Sequence, residues 1–333
     1  MGGGTAIATA VPVYLGAYLA PLGEVLVRPD VTDIYVNRPH EMWVETLGGA
    51  TERIEAPNLD TLTLERLARQ IAALSHQGIS REHPLLAATL PDGARVQIAA
   101  PPATRGPLAM AVRKHVSSDL SLDDYVTGGA FDHTQRGELG GPSAIDRELR
   151  SLLNAGDIAG LLRKAVVARK NVLVSGGTST GKTTFLNALL REIPPHERLI
   201  LIEDTPELQL RHDNAVGLIA ARSALGEAQV TADSLLAASL RMRPDRIIVG
   251  ELRGEEAYTF LRAVNTGHPG SMTTVHADSA ERAIEQIALL VLQTGTRLGR
   301  EDVHHYVRGS IDVFVQLTRE AGRRRVAEVV LSQ

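Results

Sequence analysis

The run GGTSTGKTT, from Gly176 to Thr184, limits what this chain can fold into more than any other stretch of it. Residues 176–183 fit G-x-x-x-x-G-K-[ST], a turn that wraps its backbone N–H groups around phosphate oxygens. Gly176, Gly177 and Gly181 permit close backbone approach and dihedrals closed to other residues, while Thr178, Ser179 and Thr180 add further inward N–H groups. Lys182 is expected on the β- and γ-phosphates and the Thr183 hydroxyl on Mg²⁺, with Thr184 following at the start of a helix. The pattern works only between a strand and a helix. NVLVSG precedes it as an apolar strand, and KTTFLNALLREI follows it as a helix that stops before Pro194-Pro195. The ligand this implies is ATP or GTP, and the fold it demands is α/β.

Three further apolar runs, RLILIED, RIIVGE and SMTTVHA, alternate with helical segments, as buried strands of a mostly parallel sheet do. Carboxylates at the carboxyl ends of such strands line the ligand crevice. Glu203, with Asp204 and Glu207 behind it, and Glu251 are therefore the candidates to hold Mg²⁺ and orient water, although acidic residues also cap helices. Which of the two glutamates takes which role is open at this level. Many P-loop chains end the second of these strands with an Asp-Glu pair; Gly250 precedes Glu251 here, which argues against a standard helicase.

His268 and His276 flank PGSMTTV, but the chain has no cysteine and no third ligand nearby, which disfavours zinc. His276, at the end of its strand, is read evenly as a structural histidine or as a γ-phosphate sensor. By residue type alone, Arg95 and Arg113 are surface arginines, and Arg323–Arg325 form a solvated hairpin turn after Gly322.

A chain of 333 residues accommodates two domains. Residues 24–116 read as a small α+β unit, with strands in DIYVN, EMWVET, ARVQIAA and LAMAVRK and a helix carrying Leu64, Leu67, Ile71 and Leu74. The polar stretch 117–143 reads as a linker, and a helix pair broken at Gly156-Asp157 opens the P-loop domain, 144–333. Residues 1–23 carry no charged side chain, yet contain Pro12 and Pro21 and mostly small residues; they read as a flexible or packing arm, not a membrane span. A net charge of −4 and 3% aromatic residues offer no surface for tracking nucleic acid.

Four blocks in order, GGTSTGKTT, IEDTPEL, RIIVGELRGEEA and GHPGSMTTVHADSA, resemble those of the secretion-superfamily traffic ATPases. Their spelling resembles the type IV secretion and conjugal-transfer branch; the pilus-motor branch more often reads EDPIE and GHLVLSTLHTN, and its assembly motors often carry a four-cysteine zinc insert. The resemblance implies a RecA-like ATPase domain joined to a smaller N-terminal domain, with Mg-ATP between them and six copies in a ring. It also implies that Arg95 and Arg113 reach the γ-phosphate, and that His276 senses it. The expected activity is ATP hydrolysis powering substrate translocation or pilus assembly. The expected place is the cytoplasmic face of the inner membrane, as a peripheral protein among other secretion components. A pilus-assembly ATPase of the type II-like or tight-adherence kind, and a nucleotide-gated scaffold with little turnover, are the alternatives.

Overall fold

The structure is a computed structural model that describes residues 13–115, 121–132, 134, 141–221 and 226–332. The N-terminal part contains α1 (Val13–Val27), β1 (Val31–Val36), β2 (Glu41–Thr46), β3 (Thr51–Glu55), α2 (Thr61–Leu74), β4 (Leu85–Thr89), β5 (Arg95–Ala99) and β6 (Ala109–Arg113). Its six strands form one antiparallel sheet in the order β3-β2-β1-β6-β5-β4. Side chains alternate across a strand, and the alternation assigns its two faces. Ile34, Val36, Val96, Ile98, Met110 and Val112 pack with α1 and α2, whereas Tyr35, Ala99, Ala109 and Ala111 pack with residues of the second domain. Three alanines on that second face let the domains approach closely.

The helix over 61–74 forms as its periodicity predicts, started by Asp60, whose side chain accepts from the Thr63 N–H. Of the two readings of the N-terminal arm, flexible or packing, the described part takes the second. Residues 13–23 belong to α1, and Leu15, Leu22 and Val25 are buried against the first core. Each such side chain is worth about 2 kcal/mol when withdrawn from water. That packing carries the helix through Pro21, which lowers its local propensity. Residues 1–12 of the expected arm lie outside the described residues.

Between the domains, α3 (Leu122–Thr127) lies within the expected linker, followed by the capped helices α4 (Ala144–Asn154) and α5 (Ile158–Val167). The second domain continues with β7 (Val172–Gly176), α6 (Lys182–Leu190), β8 (Leu199–Glu203), β9 (Ala215–Ile219), α7 (Ala232–Ser239), β10 (Arg246–Val249), α8 (Glu256–Asn265), β11 (Met272–Val275), α9 (Ala280–Gln293), α10 (Arg300–Ser310), β12 (Val313–Glu320) and β13 (Arg323–Leu331). The sheet order is β13-β12-β7-β11-β10-β8-β9, parallel throughout except for β13. The carboxyl ends of β7, β8 and β10 therefore share one edge of the sheet.

The N-terminal domain grips β8 at both ends. At the start, the Arg198 guanidinium lies 4.0 Å from the Tyr35 ring centre and donates to Asn37 Oδ1 at 2.7 Å. Burial lowers its pKa to about 10. At the far end Arg105 meets Glu203, and Thr104 bridges Leu218 of β9.

Candidate nucleotide site

β7 ends at Gly176, where a Cβ would collide with Thr180 Oγ1 and stand 3.1 Å from the Leu317 carbonyl oxygen. The loop then turns through left-handed backbone at Ser179 (φ 62°) and Gly181 (φ 92°), the residue that caps α6. Thr180 is buried and donates to the Gly177 carbonyl at 2.8 Å, which holds the turn closed. A helix N-terminus with unpaired N–H groups is favourable for phosphate. Lys182 Nζ donates to the Gly176 carbonyl at 3.1 Å and lies 3.4 Å from Glu251 Oε1.

Around this turn is a cavity of about 260 Å³, bordered by Gly177, Ser179, Gly181, Lys182, Thr183 and Thr184 of the loop. Glu203, Asp204, Gly250, Glu251 and Thr274 face it from the strand ends. Arg253 joins the two acidic segments: Nε donates to Glu251 Oε2 at 2.6 Å and Nη1 to Asp204 Oδ2 at 2.6 Å. Burial alone would lower the Arg253 pKa, but these carboxylates raise it overall. The two candidate glutamates differ sharply in environment. Glu251 is held by cations of the cavity itself, whereas Glu203 accepts from the Glu207 and Leu208 N–H groups and pairs with Arg105.

Several sequence-predicted residues sit elsewhere. Gly176, Thr178 and Thr180 shape the turn without bordering the cavity. Arg95 and Arg113 stand opposite one another on β5 and β6 and line a separate cavity of about 420 Å³ with Gln97, Leu240 and Arg241. Arg113 approaches Asp33 at 4.0 Å. His276 is exposed just beyond β11 and is not among the cavity's bordering residues; Thr274 of that strand is, donating to the Gly250 carbonyl at 2.8 Å.

Three arginines escaped the sequence reading. Arg253 lies within the RIIVGELRGEEA block without a role having been read for it, and Arg105 lies in no motif. Arg324, expected in a solvated turn, borders the cavity, and a Cβ on Gly181 would stand 2.9 Å from its Cδ. The hairpin pairing β13 with β12, itself next to β7, brings it there.

His268, half-buried before β11, has Nδ1 3.2 Å from the Ala263 carbonyl, and burial lowers its pKa below the ordinary 6.5. The folded form therefore holds fewer protons than the unfolded chain as pH falls through 6.5, so stability declines in that direction. In a thermal-denaturation series from about pH 7 to about pH 5, His268→Gln is expected to flatten the decline. A variant as steeply pH-dependent as the wild type would show that other groups dominate.

Comparison with known proteins gives the family. Residues 149–329 match the family described as Type II/IV secretion system protein. The type IV secretion system protein VirB11 of Brucella suis is 40% identical over 321 residues, spanning 94% of this chain and 88% of its own. The chain belongs to the VirB11 family of type IV secretion ATPases. VirB11 of Bartonella henselae is 38% identical over 324 residues, covering 93% of this chain and 91% of the relative. PtlH of Bordetella pertussis is 39% identical over 320 residues, covering 94% and 93%. The crystal structure of the Brucella suis VirB11 ATPase in complex with sulphate superposes with a TM-score of 0.89 at 38% identity, over 96% of this chain and 98% of that one. The α/β ATPase domain preceded by an N-terminal domain is thus the fold of that family.

Proposed function

We propose that the chain hydrolyses Mg-ATP as one subunit of a homohexameric ring and couples hydrolysis to transport through a type IV secretion apparatus. The observation that carries the hydrolytic part is the meeting of Lys182 and Glu251 at 3.4 Å across the mouth of the P-loop. The cradle fits phosphate, since Gly181 borders it and a side chain there would intrude on it beside Arg324. Thr183 and Glu251 are the residues that would hold Mg²⁺, directly or through water, and the metal would supply positive charge against the phosphates. Lys182 exchanges the Glu251 carboxylate for phosphate oxygens. Glu251, so released, orients a water against the γ-phosphorus and takes up its proton as the bond to the β-phosphate oxygen breaks.

Arg95 and Arg113 lie outside their own subunit's cavity, paired with one another at one end of the interior strands β5 and β6. In this reading they complete the site of a neighbouring subunit, as arginine fingers supplied in trans. In this reading the protein attaches peripherally to the inner membrane through other components of the apparatus; among the described residues no helix is long and apolar enough to cross a membrane. A scaffold without turnover has no use for a lysine and glutamate placed across a phosphate cradle.

The test is steady-state ATP turnover against protein concentration, followed by mixing of Lys182→Ala and Arg113→Ala proteins. Turnover per subunit is expected to rise with concentration. Equal mixing of the two inactive variants is expected to restore about a quarter of the sites in a randomly assembled ring, those pairing an intact P-loop with an intact neighbouring arginine. Concentration-independent turnover would remove the ring, and no recovery on mixing would remove the trans arginines.

A further inference from the structure

We propose that Arg105 is a positioning residue that clamps Glu203 to the N-terminal domain. Glu203 then links the nucleotide site to that domain, and Glu251 is left as the carboxylate turned toward nucleotide. The inference rests on the hydrolytic reading above and divides the work between its two glutamates.

The clamp is a closed ring of contacts. Glu203 Oε1 accepts from the N–H groups of Glu207 at 3.0 Å and Leu208 at 2.7 Å, while Oε2 faces the Arg105 guanidinium. Arg105 Nη1 donates to the Leu208 carbonyl at 2.7 Å, so both side chains close on one peptide segment. The Glu203 side chain is only 3% exposed. Arg105 is itself pinned to β9, its N–H donating to the Gly217 carbonyl at 3.0 Å. A Cβ at Gly217 would stand 2.6 Å from Arg105 Cδ, so the arginine reaches Glu203 only because glycine occupies that position. A carboxylate whose oxygens are engaged in this way is not free to join a metal's ligands; it reports where the N-terminal domain sits.

Its connection to the nucleotide side is equally specific. Arg253 ties Glu251 to Asp204, the residue next to Glu203. Just beyond β10, the residue before Glu251 is Gly250, where a Cβ would stand 3.2 Å from Glu203 Cγ. That contact gives the missing Asp-Glu pair a physical reason: an aspartate at position 250 would crowd Glu203. Phosphate arriving at Lys182 displaces Glu251, and the displacement reaches Glu203 and Arg105 through Arg253 and Gly250. The N-terminal domain thereby senses occupancy through the Arg105–Glu203 ion pair.

The experiment compares wild type, Arg105→Ala, Arg105→Lys, Glu203→Gln and the control Thr183→Ala. It uses amide hydrogen exchange with and without Mg-ADP, Mg²⁺ titration of fluorescent-ADP binding, and kcat against KM. In wild type, Mg-ADP is expected to change exchange at 103–106 and 215–219. Arg105→Ala should abolish that response and lower kcat about tenfold, with KM for ATP within about threefold, the effect of losing one charge-assisted contact away from the phosphates. Arg105→Lys should restore part of both. Glu203→Gln should leave the half-saturating Mg²⁺ within about twofold, while Thr183→Ala shifts it at least about tenfold. A nucleotide response that persists undiminished in Arg105→Ala would overturn the clamp. So would a Mg²⁺ requirement raised in Glu203→Gln as far as in Thr183→Ala. A wild type that binds Mg-ADP but never hydrolyses ATP would instead defeat the hydrolytic reading, and exchange and Mg²⁺ titration would still decide the clamp.

Discussion

Lys182→Ala is expected to reduce ATP turnover at least about a thousandfold, roughly 4 kcal/mol of transition-state stabilisation, because it removes the one lysine in the phosphate cradle. It is also expected to weaken nucleotide binding, since in the proposed site Lys182 would meet phosphate in the ground state as well as during transfer. The fold should survive. Removing this ammonium leaves Glu251 paired with Arg253, so no carboxylate is stranded, and the Gly176 carbonyl loses one donor. The change in unfolding free energy should stay within about 1 kcal/mol, a shift of a few degrees for a domain of this size. Lys182→Arg should not rescue turnover, because a planar guanidinium cannot occupy the place of a compact ammonium inside a turn closed by Thr180. The measurements are turnover, isothermal titration with ADP and a melting curve on the same preparations. Substantial turnover in a folded Lys182→Ala protein would defeat the assignment of the cradle.

Local pattern carried much of this architecture. Val172–Gly176, Leu199–Glu203 and Arg246–Val249 are short apolar runs whose type survives any tertiary context, and the glycines between strand and helix admit few alternatives. The period-2 alternation of β1, β5 and β6 was equally legible as strand. What it could not say was which partner each face would meet. Ala99, Ala109 and Ala111 read as unremarkable small residues, yet they form the surface on which the second domain rests. Helix α1 was hidden for a different reason: Pro21 and a charge-free start lower its intrinsic propensity, and only burial of Leu15 and Leu22 settles it.

The candidate site divides along the same line. Lys182, Thr183 and Glu251 follow from position relative to a strand end, which sequence gives. Arg105 meets the Leu208 carbonyl across 103 residues of chain, and Arg324 meets Gly181 through a hairpin added to the sheet's far edge. Neither contact leaves a mark in the sequence around it. Arg95 and Arg113, by contrast, came from resemblance alone, and the single chain holds them on its own β5 and β6 away from its own P-loop cavity. A residue carried over from a family in this way needs the assembly, not just the fold, before its role is tested.

Glu251→Gln separates binding from chemistry most cleanly. Without nucleotide, Lys182 is 3.4 Å from Glu251 Oε1, so arriving phosphates compete with that carboxylate for the same ammonium. Glutamine keeps the shape and removes the charge, and therefore the competition. ATP affinity is expected to be unchanged or higher, within about threefold, since the lost ion pair is partly solvated on both sides. Turnover is expected to fall by about two to three orders of magnitude, because an amide neither takes the proton of the attacking water nor orients it as a carboxylate does. Arg253 remains held by Asp204, so the cavity wall keeps its position. The check is equilibrium binding of ATP to the variant beside its single-turnover rate. Loss of ATP binding would mean that Glu251 acts chiefly in holding Mg-ATP. Near-normal turnover would shift the catalytic assignment to Glu203, and with it the division of labour drawn from the Arg105 contact.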